Sequence, residues 1–386
     1  MSGIAEASDH LDTPSVIADP RTDIGDIFAW TAPNGKQLNL VMAIVGHSFS
    51  NKIEYVFHID SGNRFGKTTA TIAIACRFPD TTHVDCVAGD ADEAHGDASM
   101  TDGLLGQKWR FRVFAGLRDD PFFNNVRGTR AAYNVADAAQ KKGLVPDAAG
   151  CPKFDAATAR DIRFQWGHTS GGPATNFLAE WTPASLVIAI DLDVVTKGGK
   201  LLAVWGATVG ADRQIDRAAR PLPGNALLGT LASEQESDAL KERYNAATPA
   251  TSRAFVPEIQ KSLGLYDGFD GICGNQMLAS RKGPPSQRYL ALATLLADDR
   301  LWINSASTVC TQLFAVERAS LAGERALSTD CGGRTPNYSA VNAYRSLLTD
   351  GTMSSIDDGV DHDEHVHSTS MFPFLSAPDP APPVKQ

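Results

Sequence analysis

The sequence lacks the signatures of the common enzyme classes. It contains no GxSxG elbow, no HExxH pair, no Walker loop and no GxGxxG between a strand and a helix. It also has no CxxC pair, so neither a zinc ribbon nor a thioredoxin-like motif is supported. These absences argue against the common hydrolases, kinases and dehydrogenases.

Long hydrophobic runs and positive charge are also scarce. No apolar run approaches the roughly 18–20 residues of a transmembrane helix. The chain of 386 residues has 35 Lys and Arg against 45 Asp and Glu, a net charge of -10, which disfavours nucleic acid and anionic membranes as partners. Its opening, MSGIAEASDHLD, has neither a basic nor an apolar region, so an intact secretory signal is not expected.

The six cysteines bear on the compartment. The segment TIAIACRFPDTTHVDCVAG predicts a hairpin in which Cys76 faces Cys86 and Arg77 faces Asp85. Opposed side chains in such a pair lie within disulfide reach, so we expect a Cys76–Cys86 bond in an oxidising compartment. In a reducing cytosol the two would be buried thiols. The other four cysteines allow three pairings, of which Cys310 with Cys331 is preferred.

The order of the predicted elements indicates an α+β fold. Short runs rich in β-branched and aromatic residues fill much of residues 27–118 and return at DIRFQWG, SLVIAIDLDVV and KLLAVWGATVG. In KWRFRVF, the alternation of Trp109, Phe111 and Val113 predicts a strand with one buried face. Helical patterns appear at TRAAYNVADAAQKKG and dominate after Asn225. We therefore predict an antiparallel sheet or sandwich in the N-terminal half, with helices from the C-terminal half packed against it.

The predicted organisation is a single domain over residues 1–376. Its strand-rich part covers residues 1–210 and its helix-rich part covers residues 211–376. The Pro-rich tail at residues 377–386 is predicted to be disordered.

The first polar cluster lies near the N-terminus, in DHLDTPSVIADPRTDIGDIFAW. His10 and Asp12 are two residues apart, so on an extended chain both face the same side. Together with Asp23 and Asp26 they offer ligands to a divalent cation, for which calcium is one candidate. The alternative is that these aspartates cap turns and strand ends without a metal.

Two further clusters contain arginine beside aspartate. Arg118, Asp119 and Asp120 close a predicted strand and are candidate catalytic residues, although a structural Arg/Asp turn explains them equally well. In VGADRQIDRAARPLPGN the spacing of Arg213, Asp216, Arg217 and Arg220 predicts one helical face. Arg217 is a further catalytic candidate there, with internal Asp–Arg pairing as the alternative.

The fourth cluster, SSIDDGVDHDEHVHSTS, holds three of the nine histidines. His365 and His367 would converge on an extended segment, and imidazole with carboxylate suits Zn, Mn or Fe. His362 and His365 are therefore predicted metal ligands alongside the N-terminal cluster. The alternative is a solvated acidic loop.

A series of different short motifs lies along nearly the whole chain. They are His10-x-Asp12-x-Pro14, Asp19-Pro20-x-x-Asp23-x-x-Asp26-Ile27-Phe28-Ala29-Trp30, Phe114-Ala115-Gly116 with Arg118-Asp119-Asp120-Pro121-Phe122-Phe123, Asp216-Arg217-x-x-Arg220-Pro221 with Asn225, Gly332-Gly333-Arg334-Thr335-Pro336-Asn337, Asp358-Gly359-Val360 and Phe372-Pro373-Phe374-Leu375. This series resembles the uncharacterised bacterial family catalogued as domain of unknown function 4331. That family more usually has Glu at position 12 and Phe or Tyr near position 30. The resemblance implies one family-length unit and a secreted location, and it brings no established activity.

Two functional hypotheses follow from the sequence. In the first, the chain is an extracellular or periplasmic protein that binds a divalent cation through its Asp/His cluster. In the second, the same cluster is the active site of a metal-dependent hydrolase or oxidoreductase. A cytoplasmic location is the alternative to export, and the sequence identifies neither a substrate nor a partner.

Overall fold

The computed structural model describes residues 11–378, and its fold is α+β as predicted. The described part has 14 strands in antiparallel sheets, mostly in the N-terminal half, and 10 α-helices, mostly in the C-terminal half. His10 and residues 379–386 of the predicted tail lie outside the described residues.

The first sheet has five strands in the order β1-β2-β11-β8-β7. Nearly every side chain of its central strands is buried, as expected where both faces are covered. The strands are β1 (Ile24–Thr31), β2 (Gln37–Ile44), β7 (Leu104–Leu105), β8 (Phe111–Leu117) and β11 (Ala184–Asp191).

The second sheet has seven strands, in the order β13-β12-β3-β4-β5-β6 with β14 also paired to β12. A Cβ on Gly206 of this sheet would lie 2.6 Å from Ile27 and 2.8 Å from Met42, so the two sheets pack face to face there. The strands are β3 (Glu54–Gly62), β4 (Ala70–Arg77), β5 (His83–Ala88), β6 (Asp92–Asp97), β12 (Leu201–Val209), β13 (Gln214–Ala218) and β14 (Leu301–Asn304). A separate two-stranded ribbon pairs β9 (His168–Thr169) with β10 (Gly172–Pro173).

The helices are predominantly short and lie mainly in the second half of the chain. The longest begins after Asn125, whose side chain accepts a hydrogen bond from the backbone N–H of Gly128. The helices are α1 (Pro14–Ala18), α2 (Val126–Lys141), α3 (Ala156–Trp166), α4 (Leu192–Val195), α5 (Pro223–Leu227), α6 (Glu234–Asn245), α7 (Val256–Asp267), α8 (Leu290–Ala297), α9 (Ala315–Glu317) and α10 (Ala340–Thr349).

Three disulfides join all six cysteines. The β4–β5 hairpin has the predicted register, with Cys76 opposite Cys86 and Arg77 opposite Asp85, and the two cysteines are bonded. Cys310 is bonded to Cys331, which was the preferred pairing, and Cys151 is bonded to Cys273 across 122 residues of sequence.

Three local predictions were wrong. DIRFQWG is not a strand but the end of α3, where Ala159, Ile162 and Trp166 recur at helical spacing on the buried side. Trp109 does not belong to a strand face, because it occupies a turn with a positive φ and is 77% exposed. The segment after Arg213 forms β13 rather than a helix, because it pairs with β12; Asp216 and Arg217 are adjacent on this strand and so lie on opposite faces of the sheet.

Candidate metal centre

Two segments far apart in the chain meet at the end of the first sheet. Strand β8 ends at Leu117, and the next residues run in irregular conformation toward Pro121. The backbone N–H of Asp119 donates to the carbonyl of Ser376 at 3.3 Å, and that of Asp120 donates to the carbonyl of Trp181 at 3.0 Å. These bonds anchor the backbone here to Ser376 and Trp181, while the Asp119 side chain contacts the histidine-rich segment 361–367.

The histidine-rich segment brings the side chains of Asp363, Glu364, His365 and His367 close to Asp119. Asp363 and His367 are buried and Glu364 is exposed, and bends at residues 362, 364 and 365 let adjacent side chains reach the same site. Oδ2 of Asp119 lies 3.0 Å from Nδ1 of His365 and 3.5 Å from Nε2 of His367. His365 and His367 therefore both contact Asp119, through a segment that bends rather than through the extended one predicted.

Two overlapping groups in this cluster have the spacing of metal ligands. One group is Asp119, Asp363 and His367; the other is Asp119, Glu364 and His365. In each group the candidate ligand atoms lie within 4.8 Å of one another. Ligands about 2.1 Å from one ion stand roughly 3.0–3.5 Å apart, so a small contraction of either group would suffice to hold a cation.

The hydrogen bonds of His367 indicate which of the two groups is better suited to bind a metal directly. Its Nδ1 accepts the backbone N–H of Ser376 at 3.1 Å, so in the neutral ring the proton is on Nε2. This Nε2–H faces Oδ2 of Asp363 at 3.2 Å and Oδ2 of Asp119 at 3.5 Å. A ring that donates through Nε2 has no lone pair there for a metal, so His367 is suited to orienting the carboxylates. The group of Asp119, Glu364 and His365 is the better candidate for direct ligation.

Asn176 holds the other side of the acidic residues. Its Nδ2 donates to Oδ1 of Asp363 at 3.4 Å and to Oε2 of Glu364 at 3.2 Å. The backbone N–H of Glu180 also donates to Glu364. Hydrogen bonds of this kind fix the carboxylates in place, as partners of metal ligands do.

The carboxyl groups of Asp119 and Asp363 titrate together. Burial and the adjacent charge of Asp363 raise the pKa of Asp119 to about 8. Burial also opposes ionisation of Asp363, but hydrogen bonds from His367 and from neighbouring groups lower the pKa of Asp363 overall. The pair therefore holds one proton near neutral pH, with Asp119 as the protonated partner, and a cation could replace that proton.

A second carboxylate pair extends the acidic cluster inward. Asp26 on β1 forms a buried ion pair with Arg334, whose guanidinium lies 4.1 Å from the centre of the Phe28 ring. Burial raises the pKa of Asp26, although Arg334 opposes the shift. Burial and the charge of Asp26 raise the pKa of Asp120 well above its usual value.

Buried carboxyl groups outnumber buried cationic groups in this cluster. Asp26, Asp119, Asp120 and Asp363 are all at most 6% exposed, and Arg334 is the guanidinium that pairs with one of them. Oδ1 of Asp119 and Oδ2 of Asp26 are buried without a hydrogen-bond partner in the described part of the chain. Buried carboxylates need protons or a cation, so this arrangement favours cation binding.

The other predicted ligands lie elsewhere or at the edge of the cluster. Oδ2 of Asp12 lies 3.9 Å from Nζ of Lys241, and Oδ2 of Asp23 accepts the backbone N–H of Leu11 at 2.5 Å. His362 pairs with Asp361 on the surface, where its side chain is 83% exposed. Among residues 11–378, neither ligand group of this cluster includes Asp12, Asp23, Asp26 or His362.

The two arginines predicted as catalytic candidates contact aromatic rings. The guanidinium of Arg118 lies 4.5 Å from the centre of the Phe114 ring, and burial lowers its pKa. The guanidinium of Arg217 lies 3.9 Å from the centre of the Tyr244 ring, and its charge opposes the burial-driven rise in the pKa of Asp299. These contacts are typical of residues that stabilise a packed core.

Asp363, Glu364 and His367 were not among the sequence-predicted metal ligands, and Asp119 was predicted only as a catalytic candidate. The signal for Asp363 and His367 is the alternation of positions 363, 365 and 367, which places three polar side chains on one side of an extended segment. A third group with ligand spacing, Cys151, Asp267 and Cys273, is not a metal site because its two cysteines form a disulfide.

Comparison with models of protein families, with curated proteins and with solved structures finds no match to this chain. Among the described residues, no helix is both long and apolar enough to cross a membrane.

Proposed function

We propose that this chain is an exported protein that holds one divalent transition-metal ion at Asp119, Glu364 and His365. The observation that carries the proposal is the buried Asp119 carboxyl group. One of its oxygens lies 3.0 Å from Nδ1 of His365, and the other has no hydrogen-bond partner in the described chain. A cation between these groups would relieve the repulsion among the carboxylates and satisfy the unpaired oxygen.

The ligand types favour Zn²⁺ or Mn²⁺ over Ca²⁺. Calcium takes six to eight oxygen ligands, whereas this group contributes two carboxylates and an imidazole nitrogen. Mixed nitrogen and oxygen ligands suit first-row transition metals. His367 and Asn176 would then orient the carboxylates without touching the ion.

The three disulfides support export as part of the proposal. Disulfides persist in oxidising compartments, and all six cysteines of this chain are bonded. The proposal also includes membership of the family named above, since the ordered motifs contribute Asp26, Asp119, Asp120 and Arg334 to the cluster. That membership would agree with a secreted location.

A metal-dependent enzyme is the second candidate function. The observation in its favour is that the site offers three protein ligands and is open on one side, where the His365 side chain is 38% exposed and Glu364 is exposed. A site with three ligands and an open position allows a bound water to act as a nucleophile. A structural site would instead be closed by a fourth protein ligand.

The test compares two neighbouring histidines. Metal-free protein is titrated with Zn²⁺, Mn²⁺ or Ca²⁺ by calorimetry, and the melting temperature is followed in parallel. We expect one equivalent of Zn²⁺ or Mn²⁺ to bind and to raise the melting temperature, because a ligand specific to the folded state stabilises it. His365→Ala should abolish both effects, and the matched variant His362→Ala should retain them.

Equal loss in the two variants, or no binding by the wild-type chain, would contradict the proposed metal site. Binding with a preference for Ca²⁺ would contradict the ligand assignment. To separate the two candidate functions, the metal-loaded protein is assayed with small ester and phosphoester substrates. Turnover that requires both the metal and His365 would favour the enzyme.

A further inference from the structure

A polar cavity lies among the helices, and none of its lining residues belongs to the candidate metal centre. It has a volume of about 420 Å³ and is bordered by α2, α5, α6 and α10. This size is within the range of small-molecule sites. Its charged lining residues are Arg130, Lys241, Arg345 and Glu234.

Positive charge predominates in the lining. Three cationic side chains border the cavity against one carboxylate, in a chain whose net charge is -10. Lys241 and Arg345 are buried at 4% and 2% exposure, whereas Glu234 is exposed at the rim. A buried cation is costly unless an anion lies close to it.

Each buried cation donates a hydrogen bond to an amide oxygen, Lys241 to Asn225 and Arg345 to Asn124, but the nearest carboxylates are more distant. Nζ of Lys241 lies 3.9 Å from the Asp12 carboxylate, and Nη1 of Arg345 lies 3.9 Å from that of Asp358. Both separations are at the long limit of an ion pair. Nε of Arg345 is buried and has no hydrogen-bond partner in residues 11–378.

The uncharged part of the lining suits a small organic ligand. The hydroxyl groups of Thr129, Thr230 and Ser237 border the cavity and supply polar atoms, and Leu222 and Ala226 supply apolar surface. Guanidinium groups bind carboxylate and phosphate through paired hydrogen bonds, and lysine adds a point charge.

We infer that this cavity binds a small organic anion whose carboxylate or phosphate group lies among Arg130, Lys241 and Arg345. The short carbon body of the ligand lies against Leu222 and Ala226. This inference is independent of the metal, because neither group of candidate metal ligands borders the cavity.

The experiment uses the full chain, with and without added Zn²⁺, and titrates it by calorimetry with succinate or with glycerol 3-phosphate. The two probes share a small anionic body and distinguish a carboxylate site from a phosphate site. Arg130→Gln should weaken binding by about tenfold or more, because a charge-assisted hydrogen bond is lost. Arg130 is only partly buried, so this variant should fold normally.

Two further variants provide a control outside the cavity and a change at its rim. Arg127→Gln removes an exposed cation from the same helix outside the cavity, and it should bind like the wild type. Ala232→Glu places a negative charge at the exposed rim and should weaken binding by repulsion. Failure of both probes to bind, or an equal loss in the Arg127 and Arg130 variants, would overturn the inference. Binding of either probe with the expected order of variants would support it.

Discussion

Oδ2 of Asp119 lies 3.0 Å from Nδ1 of His365, although 246 residues separate the two in the chain. The same oxygen lies 3.5 Å from Nε2 of His367, so one carboxylate contacts two imidazoles. The first three predictions concern this carboxylate and the buried charges around it.

Asp119→Asn should remove metal binding. The amide keeps the size of the side chain but loses the charge that attracts the ion. We therefore expect the affinity for Zn²⁺ to fall by roughly 100-fold or more, which is a larger loss than removing a residue that only hydrogen-bonds a ligand. Calorimetry and metal analysis of the purified protein measure this. Asp361→Asn is the matched control, because Asp361 lies in the same segment as the ligands but is 87% exposed. An unchanged affinity in Asp119→Asn would exclude Asp119 as a ligand.

The same variant should change how stability depends on pH in the metal-free protein. The pKa of Asp119 is about 8 in the folded chain, against an ordinary value near 3.8, so the folded state holds a proton that the unfolded state releases. The contribution of Asp119 to stability therefore falls as the pH rises from about 4 to about 8. We expect Asp119→Asn to match the wild type near pH 4 and to be more stable at pH 8 by about 1–3 kcal/mol. Chemical unfolding at both pH values measures the difference; a difference that shrinks with rising pH would contradict the assigned shift.

Arg334→Met should strongly destabilise the fold. Removing the guanidinium leaves Asp26 buried without its partner, which typically costs about 3–5 kcal/mol in the free energy of unfolding. The double variant Asp26→Asn with Arg334→Met should recover part of this loss, because no uncompensated charge remains. Arg325→Met, at an exposed position, should change stability by less than about 0.5 kcal/mol. A double variant less stable than the single one would show that the ion pair is not the cause.

The disulfides should contribute unequally to stability. In the loop-entropy account, the Cys151–Cys273 bond closes 122 residues and contributes about 5 kcal/mol, whereas the Cys76–Cys86 bond closes 10 residues and contributes about 3 kcal/mol. Paired Cys→Ala variants of each bond, unfolded in guanidinium chloride, give the two values. An equal or reversed order would mean that packing around the sulfur atoms outweighs the loop entropy.

The parts of the fold that could be predicted from the sequence are those set by local pattern. The register of the β4–β5 hairpin follows from a short turn and from Arg77 opposite Asp85, and the structure has both. The predicted segments over β2, β3 and β12 are long alternating or apolar runs bounded by turns. In α3, Ile162 and Trp166 are four residues apart, a spacing that is compatible with a strand or with a helix. Only their packing in the folded protein decides between the two.

The candidate site was predictable only in part. The alternation of Asp363, His365 and His367 is visible in the sequence, but it places Glu364 on the other face, whereas the structure brings Glu364 into the same site. The pairing of these residues with Asp119 is set by tertiary contacts across 246 residues, for which a single sequence contains no signal. For the same reason the structure pairs Asp26 with Arg334, although the sequence motifs place them at opposite ends of the chain.

The backbone of Ser376 bonds both Asp119 and His367, so the site requires the chain almost to its last described residue. At roughly 5–20 residues per second, the ribosome adds His365 on the order of 12–50 s after Asp119. During that interval Asp119 has been synthesised but the histidines have not. The proposed ion can therefore bind only after residue 365 has been synthesised, and a nascent chain that stops earlier cannot form the proposed centre.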